Sequence, residues 1–174
     1  MVGLERGTVE LVPYDPGWKR EYTAEVERLE SLVGDRVVKF EHAGSTAIEG
    51  LAAKPIIDML AVVDDLDAEA DLVAVLENHG YEHRSNDDVP DRLFLVKGPR
   101  TARTHYLSLA EYASDCYLEQ VVFRDHLRSH PGLAAEYEEL KRRLADAHPD
   151  DRESYTDAKS SFIEHVLERA MDGA

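Results

Sequence analysis

Apolar and polar positions along the chain follow two regimes that change over near residue 110. In the first, helical stripes alternate with short β-type runs. Val9 to Val12 is a short β-like run closed by Pro13 and by the turn cluster Asp15-Pro16-Gly17. From Pro16 to about Val33 the residues Trp18, Tyr22, Val26, Leu29 and Val33 recur at helical spacing, with charged residues between them, and Gly34 ends the helix. Arg36 to Phe40 is short and β-branched, a strand leading into Glu41-His42-Ala43-Gly44-Ser45, and Thr46 to Leu51 has room for a turn or two of helix. Residues 56–63, IIDMLAVV, are apolar on both faces, as in a strand buried mid-sheet, and only Asp58 breaks the run.

Asp64-Asp65 caps a helix whose stripe of Leu66, Ala70, Val73, Ala74 and Leu76 ends at His79-Gly80. Tyr81 to Arg84 reads as a strand and Ser85 to Asp91 as an acidic loop; the strands Leu93 to Lys97 and Thr104 to Leu109 flank the Gly98-Pro99-Arg100 turn. The second regime is helical throughout. Ser114 is an N-cap for a helix reaching His130, Pro131 opens another with Leu133, Tyr137, Leu140 and Leu144 in register, and Asp151 starts a last one through Ala170. The pattern predicts an α+β chain, with a mixed α/β part over 1–110 and a three-helix part over 111–174 packed on it as one compact domain.

Composition changes this picture in one respect. With 43% hydrophobic and 32% charged residues the 174-residue chain is globular, but its net charge is −16. Spread acidity of this kind repels polyanions, so sequence-independent binding of duplex nucleic acid is disfavoured, and it is the coat expected of a halophilic source. Cys116 has no second thiol for a disulfide or zinc site. No signal peptide and no apolar run of membrane-spanning length are evident, so a cytoplasmic protein without a membrane partner is expected.

Against that background the candidate chemistry gathers around Glu41 to Asp58. A glycine at a strand end lets backbone approach a ligand, and Ser45 and Thr46 after Gly44 offer hydroxyls and amides to phosphate, although a Gly-Ser pair is more often an ordinary turn. Asp58 needs a partner if buried, either a magnesium ion shared with substrate phosphates or an ion pair with Lys54 or an arginine. In a strand Arg103 and His105 point one way, Thr104 and Tyr106 the other, and with Arg92, Lys97 and Arg100 they gather positive charge. Lys159 shares an apolar stripe with Tyr155, Phe162 and Val166, and Arg124 and Arg128 lie on a face with Tyr117 and Val121. Snorkelling explains each of these cations singly; together they suit a cleft shared with the Gly-Ser turn.

HAGSTAIEGLAAKPIIDML at 42–60, RTHY at 103–106, FRDHLR at 123–128 and the spaced Tyr155, Lys159, Phe162 and Ile163 resemble the GrpB family, which is similar in fold to the nucleotidyltransferase superfamily. The resemblance runs from about Val9 to Ala170 and implies a nucleotidyltransferase-like mixed sheet with flanking helices and a helical C-terminal part. It implies a site in which Gly44 and Ser45 match the phosphate turn and Asp58 the first metal carboxylate. Leu60 stands where the second carboxylate belongs, which puts two-metal transfer in doubt. Tyr106 and Ser108 replace histidines on the later strand, leaving His42 and His105.

The expectation is therefore a nucleotide- or coenzyme-binding protein of nucleotidyltransferase type. Magnesium would sit on Asp58, with Ser45 and Thr46 on phosphate, Lys54, Arg103, Arg124 and Lys159 neutralising charge, and His105 as proton acceptor. The alternatives are a non-catalytic nucleotide or coenzyme sensor or interaction module with a degenerate site, which fits the occurrence of similar domains fused to dephospho-CoA kinase, and a plain scaffold.

Overall fold

The computed structural model describes residues 2–172. Its centre is a five-stranded mixed sheet in the order β1-β2-β5-β4-β3, with strands Lys39–Ala43, Ile57–Val63, Tyr81–His83, Leu93–Lys97 and His105–Glu111 numbered in chain order. β2 and β5 run parallel at its middle; every other pair is antiparallel. The expected α+β architecture is what forms. The helices are α1 (Gly17–Val33), α2 (Ala70–Glu77), α3 (Asp115–Ser129), α4 (Pro131–Ala147) and α5 (Arg152–Asp172).

Strand alternation gives the sheet two unlike faces. Ile57, Met59, Ala61 and Val63 of β2, with Leu107 and Leu109 of β5, meet Trp18, Leu29 and Val33 of α1 and Leu72 and Leu76 of α2 in the main core. The opposite face carries Asp58, Leu60 and Val62, and only its far end is closed by α3, where Leu60 and Val62 pack on Cys116 and Tyr117. A third cluster joins the C-terminal helices to the segment after β1, with Ile48 and Leu51 against Phe123, Leu127, Tyr137 and Val166. α4 and α5 therefore leave the near end of this face, around Asp58, uncovered by apolar packing.

Some elements differ from the sequence reading, and the helix expected from Asp64-Asp65 opens as a 3-10 turn, Leu66–Ala68, capped by Asp65, and becomes α-helical only at Ala70. The strand expected over Arg36 to Phe40 begins at Lys39 and continues to Ala43, because Gly34–Arg36 forms a 3-10 turn after α1 and pairing with β2 runs on to Ala43 opposite Asp58. Val9 to Val12 is not a strand. Its segment is a strap, with the Val9 amide bonded to the Pro149 carbonyl and a single bridge from Val12 to Ala53. Pro13 lacks the N–H that further pairing would need. Ser114 caps α3 as expected, accepting the Tyr117 amide. No helix among the described residues is long and apolar enough to cross a membrane.

The core face holds one buried polar cluster. Burial would raise the Glu25 carboxyl, but hydrogen bonds from Arg28, Lys97 and Tyr81 outweigh it and hold the group at about 2. His105, opposite Ile57 and 5% exposed, is beside this cluster with its Nε2 buried and unbonded, and burial pushes its pKa down to about 4. His42, stacked on Tyr22, is pushed to about 4 in the same way, by burial and then by Arg128 and Arg124. Both histidines refuse in the folded chain a proton that the unfolded chain takes below about 6.5, so stability present above that pH is lost as pH falls toward 4. Urea titrations of wild type and His105→Leu across this window should show the variant losing less, the difference reaching on the order of 3 kcal/mol by pH 4.

Candidate functional site

β1 ends at Ala43, which pairs directly with Asp58. The next residue, Gly44, has a φ of +66°, and a Cβ there would lie 2.2 Å from Asp58 Oδ2 and 2.9 Å from Asp58 Cβ. Glycine is thus required twice, by conformation and by the carboxylate that occupies the space of its missing side chain. The chain then turns through a 3-10 helix, Ser45–Ala47. The Thr46 hydroxyl is 3.0 Å from His42 Nε2, and Ser45 faces the Tyr137 phenol.

Asp58 forms the floor of a cleft of about 420 Å³, a volume within the range of small-molecule sites. Tyr106 and Ser108 of β5 extend the floor, being the cross-strand partners of Asp58 and Leu60. Lys54, Lys141 and Lys159 enter from the segment before β2, from α4 and from α5, and Arg92 and Arg152 close the rim. Two of the lysines are set by the same device. Lys141 lies four residues after Tyr137 and Lys159 four after Tyr155, so each amine sits over a tyrosine ring of its own helix, at 4.9 and 4.4 Å. Lys54 shares the Tyr155 ring from 5.4 Å.

The three lysines are not neutralised by the protein. Among the described residues none of the three lysines has a carboxylate oxygen within 4.0 Å, the separation that defines an ion pair. Lys141 is 1% exposed and its amine donates to the Ala52 carbonyl at 2.5 Å. Burial and the neighbouring Lys54 push its pKa down to about 7. Lys54 is lowered to about 8 by burial and then by Arg152, and Lys159 is lowered by burial, Lys54 and Lys141. Arg152 donates to the carbonyls of Glu5 and Thr8 and to the Tyr106 hydroxyl, none of which neutralises its charge. Arg92 is paired with Asp87 at 2.8 Å and touches Ser108. Burial raises the Asp58 carboxyl, against the pull of Lys54, Lys159, Arg92 and Arg152.

The cleft brings together Gly44, Ser45, Thr46, Lys54, Asp58 and Lys159, six of the residues singled out in the sequence. Three others lie elsewhere. His105 points to the core face, because strand alternation puts it opposite in direction to Tyr106, and it is the Tyr106 side that is open. Arg103 is 3% exposed and tied to the Gly98 carbonyl and to Glu82. Arg124 braces α3 on β1 through Glu41 at 2.6 Å and the His42 carbonyl at 3.0 Å. Lys141 and Arg152 were not singled out, and Tyr106 and Ser108 stood out only as replacements for histidines. Lys141 had a readable signal, the Tyr-to-Lys spacing it shares with Lys159; Arg152 had none, since its role depends on the strap.

A resident magnesium fits this donor set poorly. Among the described residues no group of three or more His, Cys, Asp or Glu could hold a metal ion. Leu60, at the position two residues past Asp58, is 0% exposed and sealed under α3. Asp58 is left as the floor's one carboxylate with cations around it.

Fold and site define an α+β domain with a cationic cleft at the open end of a mixed sheet. The chain belongs to the GrpB family, whose profile, described as GrpB protein, matches residues 8–169. It is 37% identical to the glutamate-rich protein GrpB of Alkalihalophilus pseudofirmus over 96% of this chain and 98% of that protein. The crystal structure of the conserved protein GrpB from Enterococcus faecalis superposes with a TM-score of 0.86 at 33% identity, covering 94% of this chain and 98% of that one. A dephospho-CoA kinase of Mycolicibacterium paratuberculosis is 27% identical over 98% of this chain, which spans 48% of its length.

The Gly44 contact yields a direct expectation. Gly44→Ala should destabilise the protein by about 2–4 kcal/mol in chemical denaturation, from the left-handed backbone and the displaced carboxylate together. Adding Asp58→Ala should recover only part of this, since the Cβ of residue 58 stays within 2.9 Å of the new methyl.

Proposed function

We propose that the cleft binds a small molecule bearing more than one phosphate, of nucleotide or coenzyme type, with Lys54, Lys141, Lys159 and Arg152 meeting the phosphates. The observation that carries this reading is the convergence of these cations, unneutralised, on one cleft of a chain whose net charge is −16. Cations gathered without carboxylates in a buried place are unfavourable until an anion joins them, and a polyphosphate supplies that charge in compact form. The aromatic walls, Phe94, Tyr137 and Tyr155, suit the organic part of such a ligand. The relative named dephospho-CoA kinase supports including coenzyme A and its dephospho form among the ligands tried.

A second reading, nucleotidyl transfer, is favoured by Asp58. Its carboxyl, raised by burial, lies on the cleft floor and could take the proton from an acceptor hydroxyl as that oxygen attacks the α-phosphorus and pyrophosphate leaves. Binding without turnover is the sensor reading, and the two separate on products. Incubation with labelled nucleoside triphosphates and an acceptor panel should release pyrophosphate if transfer occurs, and Asp58→Asn should then abolish release while binding persists. Absence of product over the panel leaves the binding role alone.

Thermal shifts against nucleotides, coenzyme A, dephospho-coenzyme A and inorganic tripolyphosphate test the binding itself. A ligand at about a hundred times its Kd should raise Tm by roughly 5–10 °C. Lys159→Met should weaken that ligand at least about tenfold. If no member of the panel shifts the wild type, the reading fails. Binding should also take up protons near pH 8, where the free lysines at about 7 and about 8 are partly neutral. An anion restores their charge, so affinity should fall as pH rises from 7 toward 10, and calorimetry in buffers of different ionisation enthalpy should register the uptake.

A further inference from the structure

We propose that the cleft selects the metal-free form of its polyphosphate ligand over the magnesium complex. The inference rests on the binding reading above and concerns which ionic form the site was built to receive. Asp58 is the floor's carboxylate, and Lys54, Lys159, Arg92 and Arg152 all act on it electrostatically. Glu119 contributes the other acidic group in the wall, from α3, where burial first and then Asp91 favour its neutral form while Arg92 opposes them. Arg92 is already held by Asp87. That leaves Lys54, Lys141, Lys159 and Arg152 without carboxylate partners around a single floor carboxylate.

A divalent ion carried in on the phosphates would act on this arrangement in two ways. It would cancel two of the ligand's negative charges, the charges that the cations meet. It would also place a second positive centre among amines that already lower one another, Lys159 being lowered by Lys54 and Lys141. Both effects disfavour the complex, and they are strongest where water is excluded. In a magnesium site, carboxylates take the ion while substrate phosphates complete its shell. Here Leu60, two residues past Asp58 on the same face, is apolar and packed with Val62, Ala110, Cys116 and Tyr117, so the strand offers no second carboxylate beside Asp58. The lysines thus occupy the electrostatic place of a metal ion, as fixed charges brought by α4, α5 and the segment before β2.

Calorimetric titration of the whole protein with ATP and with inorganic tripolyphosphate, in EDTA and in saturating magnesium at matched ionic strength, tests this directly. Affinity should be at least about tenfold higher in EDTA for both probes. Lys159→Gln should narrow that ratio, because it removes one of the fixed charges that the ion duplicates. Affinity equal or higher with magnesium overturns the selection while leaving the binding reading intact. Absence of binding in either condition by every ligand of the panel overturns both. If Lys159→Gln is too unstable to titrate, the wild-type ratio alone decides the matter.

Discussion

The approach of the Asp58 carboxylate to the bare Cα of Gly44 is the constraint on which the site depends. It ties the end of β1 to β2 at one pair, Ala43 with Asp58, and sends the chain away through the turn that reaches Ile48 and Leu51. Those two residues enter the core of the C-terminal helices. The same contact that seats the carboxylate therefore also fixes where α4 and α5 stand over it, and with them Lys141 and Lys159. A side chain at residue 44 would disturb the floor and both walls together.

The two faces of the sheet handle buried charge in opposite ways, and the contrast makes the open face the candidate site. On the core face Glu25 receives bonds from Arg28, Lys97 and Tyr81 and is closed, with partners enough for its oxygens. On the other face cations outnumber carboxylates and the shortest contacts of Lys141 and Arg152 are to carbonyls and a phenol. A satisfied cluster fixes a fold; an unsatisfied one that opens on a cleft is completed by something from outside. His105, though buried and chemically versatile, lies on the face of that satisfied cluster and away from the cleft.

Much of the fold was legible because it rests on local periodicity. The run IIDMLAVV, the Ser114 cap and the Pro131 start of α4 all correspond to elements that form close to where the pattern put them. The residues from Arg36 to Ala43 were harder, since the strand's limits are set by its partner β2 and the polar Glu41 and His42 inside it carry no β signal. For the site, Gly44, Asp58 and Lys159 stood out as residues at odds with their surroundings. His105 and Arg103 stood out equally; alternation correctly separated His105 from Tyr106, whereas Arg103 precedes β5 and pairs with Glu82, a residue in register with Val96 and Tyr106. Which side was open could not be read, because it depends on how far α3, α4 and α5 extend across the sheet. Arg152 reaches the cleft only because the N-terminal strap passes its carbonyls there, a contact across more than 140 residues.

The acidic exterior and the cationic cleft act on a ligand at different distances. At physiological ionic strength the field of exposed charges decays over about 8 Å, so an approaching anion meets repulsion from the −16 chain only near the surface. Inside the cleft screening is weak and the amines dominate. Added salt therefore works in two directions, relieving the repulsion that slows entry while leaving the buried attraction that holds the ligand less affected. A coat of acid around a basic cleft thus costs association rate more than affinity, and it rejects large polyanions, whose charge cannot enter the cleft, more strongly than a compact ligand that can. On the proposed binding role, the size of the cleft and the sign of the coat would select in the same direction, toward a small polyphosphate and away from a nucleic-acid backbone.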